Sequence, residues 1–273
     1  PSSEFALERT TLPWKQLITL FAPTYFGHPA TGNFWGQNNF VETTGFIGTT
    51  IFLLALLAKK RSFWGIAAGA ILLFVLPTPL TQLLKVTSLP ILSTSVVSRG
   101  LILLPLCLVV LAAHGLDNIK IVPIKKLFVL ISLLIFSLVI LAILEKTHTP
   151  TTLRNLVIPL GVSFTTLIVL WISTTKAKFI WLLAPLILFD LGFFAKKTLT
   201  FTEKGFIFPQ VQLTSFLQST IGFDRIGAEK ASNIESNLTL YYQLSTAEGY
   251  DALYPRRIGE LIWAAQNGKF VTD

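Results

Sequence analysis

The chain has 273 residues, of which 52% are hydrophobic and 13% are charged, and its mean hydropathy is +0.66. Soluble domains carry about 25% charged residues, and disordered chains combine low hydrophobicity with high charge, so this composition excludes both classes. The net charge of +8 is unevenly distributed, because residues 1–198 carry +10 and residues 199–273 carry −2. Short basic clusters between apolar runs are typical of membrane-flanking charge, and they argue against a nucleic-acid partner.

The position of the single cysteine suggests its role, and the first residue of the chain suggests that the sequence is a fragment. Cys107 lies within an apolar run, and we interpret it as a packing residue. The sequence begins at Pro1 and contains no methionine. Because it starts without an initiator residue or a signal peptide, we expect it to be a fragment of a longer chain.

The first predicted elements are a short helix and a loop of unusual composition. Trp14–Pro23 is too short to span a bilayer and is predicted to lie on its surface. The loop 23–48 alternates glycines with aromatic and amide side chains, among them Tyr25, Phe26, Phe34, Trp35, Phe40, Asn33, Gln37, Asn38 and Asn39. Aromatic faces stack on sugars and amides bond hydroxyl groups, so the loop indicates a carbohydrate or head-group platform. The alternative is an interfacial loop whose polar groups satisfy the backbone at membrane depth.

Six apolar stretches then follow, each close to the roughly 20 residues that a helix needs to cross a bilayer. They are Phe40–Ala58, Phe63–Leu80, Gly100–Leu116, Leu127–Leu144, Leu156–Ser173 and Phe179–Phe194. The sequence therefore predicts an α-helical polytopic membrane protein with about six transmembrane helices in residues 1–198.

The short loops between these stretches predict the orientation. Three alternate loops carry eight basic residues against one acid, Asp117; the basic residues are Lys59, Lys60, Arg61, Lys120, Lys125, Lys126, Lys176 and Lys178. The positive-inside rule places these loops in the cytoplasm. The aromatic loop and the C-terminal region are then predicted to lie outside, in a multi-pass protein of the bacterial cytoplasmic membrane.

Residues 199–273 have the composition of a soluble domain and are predicted to form a small extracytoplasmic α+β unit, incomplete at its end. Gln210–Thr220 indicates a short helix, whereas Arg225–Glu229 and Asn237–Gln243 indicate strands. Apolar residues recur at helical spacing between Ile258 and Ala265, which predicts an amphipathic helix that ends near Gly268.

Three charged residues beside or within apolar runs are candidates for function. Placing the charged side chains of Glu42 and Asp190 in hydrocarbon costs much free energy, so each is expected to have a partner or to face a water-filled cavity. The amides of Asn38 and Asn39 are the nearest donors to Glu42, and Asp190 either faces a cavity, snorkels or pairs with Lys196. Arg99 opens a span, where it either binds a lipid phosphate or anchors the helix.

The ordered segments resemble the YfhO-like family of bacterial membrane proteins, which have the architecture of GT-C glycosyltransferases. The similarity runs from about Leu17 to Leu261, with the order of segments intact. It is carried by FAPTYFGHP and FWGQNNFVETTGFIG in the first 48 residues, PTPL at 77–80, SRGLILLPLCLVVLAAHGLD at 98–117, LFDLGFF at 188–194 and AEGYDALYPRRIGELI at 247–262.

This resemblance implies transfer of a sugar from a polyprenyl-phosphate donor to a cell-envelope glycan or teichoic acid on the outer face. The chain would be the C-terminal half of the membrane domain, and the catalytic acid would lie upstream, so the catalytic residue is unknown. Trp35, Asn38, Asn39 and Glu42 would bind the acceptor or sugar, and Arg99 the lipid phosphate. No cofactor is evident from the sequence, although the full-length enzyme could use a divalent metal. The alternatives are a transporter or flippase and a non-catalytic envelope assembly protein.

Overall fold

A computed structural model of the protein describes residues 10–37, 39–58, 63–86, 96–118, 124–199, 201–226, 238–246 and 256–269. The chain divides into two compact units, Pro1–Thr200 and Phe201–Asp273. Both are helical in the described residues, which contain no strand longer than a single β-bridge. The α-helical fold predicted for residues 1–198 is therefore confirmed, whereas the α+β fold predicted for residues 199–273 is wrong in the residues that the structure describes.

The first unit is built from eight α-helices with four 3₁₀ segments among its described residues. The α-helices are α1 (Phe40–Thr43), α2 (Thr49–Ala55), α3 (Phe63–Val75), α4 (Pro79–Val86), α5 (Leu104–Asp117), α6 (Ile124–Leu144), α7 (Thr149–Thr175) and α8 (Leu183–Thr198). The 3₁₀ segments are Trp14–Leu20, Pro29–Thr31, Val97–Leu103 and Ala177–Leu182. Two of them run directly into α5 and α8 and so lengthen those helices.

Three helical segments in the described residues are long and apolar enough to cross a membrane: Val97–Asp117, Thr149–Thr175 and Ala177–Thr198. Their outward faces are apolar as well; only 11% of the most hydrophobic window of Ala177–Thr198 is buried within the protein. Leu188 and Phe189 on that segment are largely exposed. An apolar surface of this size needs lipid around it, which supports a membrane protein.

The first expected span, Phe40–Ala58, is not one helix. It is divided into α1 and α2 by the segment Thr44–Gly48, in which Gly48 has a φ of +103°. That backbone conformation is outside the helical region and is readily adopted only by glycine. Hydropathy alone could not detect this break, because the residues on both sides of it are apolar.

The second expected span, Phe63–Leu80, also ends early. The α3 helix stops at Val75, because Pro77 cannot continue it, and α4 begins at Pro79. The hydroxyls of Thr78 and Thr81 donate to the carbonyls of Leu73 (2.7 Å) and Leu76 (2.7 Å). These bonds satisfy carbonyl groups that the end of α3 leaves without helical partners.

The remaining four expected spans are helical. By length and hydropathy, however, only the three segments above qualify among the described residues, and α3 and the Ile131–Leu144 part of α6 are shorter apolar helices. Within the described residues the structure therefore supports three spans rather than the six that the sequence predicts.

The core of this unit lies between α2, α3 and α5. The α2 and α5 helices approach so closely that a Cβ added to Gly115 would clash with the Leu54 carbonyl oxygen. Leu53 and Leu104 are fully buried in the same core. A glycine in α5 therefore sets the distance between the helices, as small residues do in membrane helix packing.

The α7 and α8 helices pack against each other and are joined by the short segment 176–182. Such a short connection makes them antiparallel, so the start of α7 and the end of α8 lie at the same end of the pair. Trp171 and Trp181 lie near the opposite end, and both are largely exposed. This arrangement brings residues near 154 close to residues near 197.

The second unit contains α9 (Gln212–Thr220), α10 (Leu238–Tyr241) and α11 (Arg256–Asn267). The helices expected near 210–220 and 258–265 are present. The strand expected at Asn237–Gln243 is wrong in its described part, where α10 is a single helical turn with the Tyr242 N–H donating to the Leu238 carbonyl (3.4 Å). Short apolar runs do not distinguish strand from helix, and the bridge between Ile226 and Thr246 is the only strand-like pairing in the described residues.

Candidate functional site

Glu42 and Arg99 form an ion pair where a long apolar helix begins. The Arg99 Nε and Nη2 atoms donate to the same carboxylate oxygen, Oε1 of Glu42, at 2.9 and 2.7 Å. The Glu42 side chain is 22% exposed and that of Arg99 is 68% exposed. Among the described residues, Oε2 of Glu42 receives no hydrogen bond, so this oxygen is available to a ligand.

Local hydrogen bonds hold Glu42 in position. The Asn39 side chain caps the start of α1 by accepting the Val41 N–H (3.0 Å). The Thr43 hydroxyl donates to the Asn39 carbonyl (2.9 Å), and the Thr19 hydroxyl donates to the Thr43 carbonyl (3.0 Å). The sequence gives the amides of Asn38 and Asn39 as the nearest candidate donors to Glu42. Among the described residues, which exclude Asn38, the donor is Arg99, and Asn39 instead caps the helix.

The ion pair lies on the wall of a pocket of about 560 Å³. Its other lining residues are mostly apolar or small, and they are Val41, Thr44, Gly45, Phe46, Ser98, Leu101, Ile102 and Pro105. A carboxylate with one unbound oxygen, beside a guanidinium and in a pocket of this size, can bind a hydroxylated ligand.

Trp35 belongs to an aromatic cluster in the loop 23–48. It stacks on His148 with ring centroids 4.6 Å apart, and it makes an edge contact with Phe26 at 4.8 Å. One face of the indole is therefore covered by an imidazole. Its Nε1 atom is buried and has no hydrogen-bond partner among the described residues.

Two other residues were predicted to belong to the site, Asn38 and Arg99. Asn38 lies outside the described residues. Two nitrogens of Arg99 are engaged by Glu42, so its binding to a lipid phosphate stays a prediction, with Nη1 as the remaining donor group.

Asp190 is 2% exposed, and its side chain forms a hydrogen bond with a residue 141 positions away in the sequence. Its Oδ2 accepts the backbone N–H of Thr49 at 2.6 Å. Thr49 is the first residue of α2, and the preceding Gly48 has no side chain that could cap the helix. An acid from α8 therefore supplies the cap for α2, and no ion pair with Lys196 is present.

Asp190 also lines a second pocket, of about 240 Å³, that the sequence did not predict. Asp190, Phe193, Phe194 and Lys197 contribute from one face of α8, and Arg154, Asn155, Ile158 and Pro159 from the start of α7. Pro23, Thr24 and Phe46 complete the lining. Phe46 lines both pockets, so the two lie side by side. The sequence feature that could have predicted this pocket is the spacing of residues 190, 193, 194 and 197, because these positions share one face of a helix.

His28 lies within the aromatic loop and is 4% exposed. Its Nδ1 accepts the Ala30 N–H (3.1 Å), and its Nε2 is buried without a hydrogen-bond partner in the described residues. Burial lowers the pKa of this imidazole, and the nearby positive charge of Lys197 lowers it further. His28 is therefore neutral at pH 7, with its proton on Nε2.

The described residues contain no group of three or more His, Cys, Asp or Glu side chains arranged to hold a metal ion. No protein-family model, curated protein or solved structure matches this chain.

Proposed function

We propose that this chain is part of a membrane glycosyltransferase that moves a sugar from a polyprenyl-phosphate donor to a cell-envelope acceptor. The observation that carries the proposal is the Glu42–Arg99 pair on the wall of a pocket at the end of an apolar helix. The resemblance of the chain to YfhO-like proteins supplies the reaction class. Glycans and teichoic acids are the acceptors that this class implies.

The chemistry of the pocket fits the acceptor side of such a reaction. Oε2 of Glu42 would accept a hydrogen bond from an acceptor hydroxyl, whose oxygen then displaces the polyprenyl phosphate from the anomeric carbon. Arg99 holds Oε1 with two donors and so fixes the direction of the carboxylate. The hydroxyl proton must leave during the attack, and the catalytic acid–base residue that the resemblance implies would receive it.

The proposal places both pockets on the outer face of the bacterial cytoplasmic membrane. The positive-inside distribution of the short loops and the exposed Trp171 and Trp181 at the opposite end support that orientation. An outer-face site would meet envelope polymers directly, and a polyprenyl-phosphate sugar would reach it from within the lipid.

Sugar transfer by the full-length protein tests this proposal. Membranes from cells with the gene, without it, and with Glu42→Gln would be supplied with tritium-labelled polyprenyl-phosphate hexoses. We expect label in an envelope polymer for the wild type and none for the deletion. Glu42→Gln should transfer at least ~10-fold more slowly, because it keeps the size of the side chain but loses the charge that strengthens its hydrogen bonds.

Two comparisons give this experiment its controls. Glu260 forms an ion pair with Arg256 in the second unit and is not among the residues that line the pocket, so Glu260→Gln makes the same chemical change and should leave transfer unchanged. Equal labelling with and without the gene would overturn the proposal. Equal transfer by wild type and Glu42→Gln, at equal protein level, would remove Glu42 from the site.

A transporter or flippase is the second candidate, and one observation favours it. The first expected span is broken, and a buried acid, Asp190, contacts the start of its second half. Transporters often place such interrupted helices and acids at the substrate site. Movement of labelled lipid-linked sugar across vesicles, without transfer to an acceptor, would favour this candidate over the enzyme.

A further inference from the structure

The strongest feature outside the Glu42–Arg99 site is the smaller pocket between α7, α8 and the loop 23–48. Two basic side chains line it, Arg154 from the start of α7 and Lys197 from the end of α8. Neither forms a hydrogen bond or an ion pair with another described residue. Both side chains line the same pocket, so it carries two positive charges that no described side chain pairs with.

The one acid in the pocket does not neutralise this charge directly. Asp190 precedes Lys197 by seven residues, which places it two helical turns, or about 10 Å, deeper along α8. Its Oδ2 is engaged by the Thr49 N–H at 2.6 Å. The pocket therefore has a cationic mouth and a carboxylate at its base that is directed toward the start of α2.

The walls between these charged groups are apolar. Phe193 and Phe194 come from α8, Ile158 and Pro159 come from α7, and Phe46 closes the side toward the first pocket. Phe193 is 49% exposed on a helix that is long enough to span the bilayer, and Phe189 one turn away is 54% exposed. The apolar wall therefore continues onto a surface that faces lipid.

We propose that this pocket binds the phosphate of a membrane lipid, with Arg154 and Lys197 holding the phosphate and the phenylalanine wall holding the start of the lipid chain. Arginine binds phosphate through paired donors and lysine binds it as a point charge, so the two complement each other. The Asn155 Nδ2 donates one of its two N–H groups to the Thr24 carbonyl (2.6 Å), which holds this amide at the wall of the pocket. This inference names a site for a lipid phosphate, the class of molecule to which the donor of the proposed function belongs, but it is argued from this pocket alone and holds whether or not the protein transfers sugar.

The test measures binding of tritiated farnesyl monophosphate to the purified protein in a neutral maltoside detergent. Farnesyl monophosphate carries both a phosphate and an apolar chain. Arg154→Gln and Lys197→Gln should each weaken binding at least ~10-fold, the loss expected for one charged hydrogen bond. Arg154→Lys and Lys197→Arg keep the charge and should lose less.

Lys196→Gln is the matched control. Lys196 is adjacent to Lys197, is exposed and does not line the pocket, so its substitution removes the same charge from the same helical turn. We expect its affinity to stay within about twofold of wild type. Because Arg154 is exposed and Lys197 is only half-buried, the glutamine variants should fold, and gel filtration would verify this.

Competition separates the two sources of phosphate. Farnesol, which lacks the phosphate, and inorganic phosphate, which lacks the chain, should each compete at least ~10-fold less well than unlabelled farnesyl monophosphate. Equal competition by inorganic phosphate would indicate a free-phosphate site and overturn the lipid assignment. Equal competition by farnesol, or equal losses in Lys196→Gln and Lys197→Gln, would overturn the phosphate site itself. None of these outcomes depends on the sugar-transfer experiment.

Discussion

At the scale of single residues, the two predicted acids are both engaged, but by different partners. Glu42 is partly exposed and pairs with a side chain, Arg99, which leaves one carboxylate oxygen for a ligand. Asp190 is buried and binds a backbone N–H, which gives it a structural role. The difference follows from their surroundings, because a buried carboxylate needs a fixed donor, whereas an exposed one can exchange partners with water or a substrate.

The lowered pKa of the His28 imidazole predicts how the stability of the folded protein depends on pH. The folded protein holds this imidazole neutral, with its pKa below the ordinary value of 6.5, whereas the unfolded chain binds a proton near pH 6.5. As the pH falls below 6.5, the unfolded state therefore gains protons that the folded state does not, and stability is lost. The thermal unfolding temperature of the purified protein should decrease between about pH 6.5 and pH 5.

His28→Asn tests this assignment. Asparagine can still accept the Ala30 N–H, but it does not titrate in this range. The variant should unfold at a somewhat lower temperature at pH 7.5, because it loses contact with Phe40, yet its unfolding temperature should change less on acidification. His114 and His148 are present in both proteins, so an identical decrease in both would show that His28 is not responsible.

At the scale of elements, α2 depends on a cap supplied by a distant helix. Asp190→Ala would leave the buried N–H of Thr49 without an acceptor, at a cost of about 1–3 kcal/mol in the free energy of unfolding. Asp190→Asn keeps an acceptor oxygen and should cost less. Thermal unfolding in detergent measures both. Equal stability of Asp190→Ala and wild type would mean that water replaces the carboxylate as the cap.

At the scale of the whole molecule, a single segment, Ala177–Thr198, separates two regions that the proposed orientation places on opposite sides of the membrane. Cysteines introduced at Thr175 and Thr202, with Cys107 replaced by alanine, would test this. In intact cells an impermeant maleimide should label Thr202→Cys and should label Thr175→Cys only after the cells are broken. Labelling of Thr175→Cys in intact cells would reverse the orientation.

Several properties of this protein were determined by the sequence alone. The apolar runs at 97–117, 149–175 and 177–198 are helices of membrane-spanning length, because local hydropathy and backbone propensity are enough to specify such elements. The amphipathic helix near residues 256–267 follows from the same local rules. By contrast, the break at Thr44–Gly48 and the single helical turn at Leu238–Tyr241 depend on turn geometry and neighbouring packing, which hydropathy does not register.

The two candidate sites were decided only by the tertiary structure. Glu42 and Arg99 are 57 residues apart, and Thr49 and Asp190 are 141 residues apart. The sequence identified Glu42, Arg99 and Asp190 as unusual, because charge beside an apolar run is costly, but it paired none of them correctly and did not indicate Arg154 or Lys197. Which charges meet depends on how closely the helices pack and on which ends they share, as at Gly115 and across the α7–α8 pair, and those distances are properties of the assembled helices rather than of any local stretch of sequence.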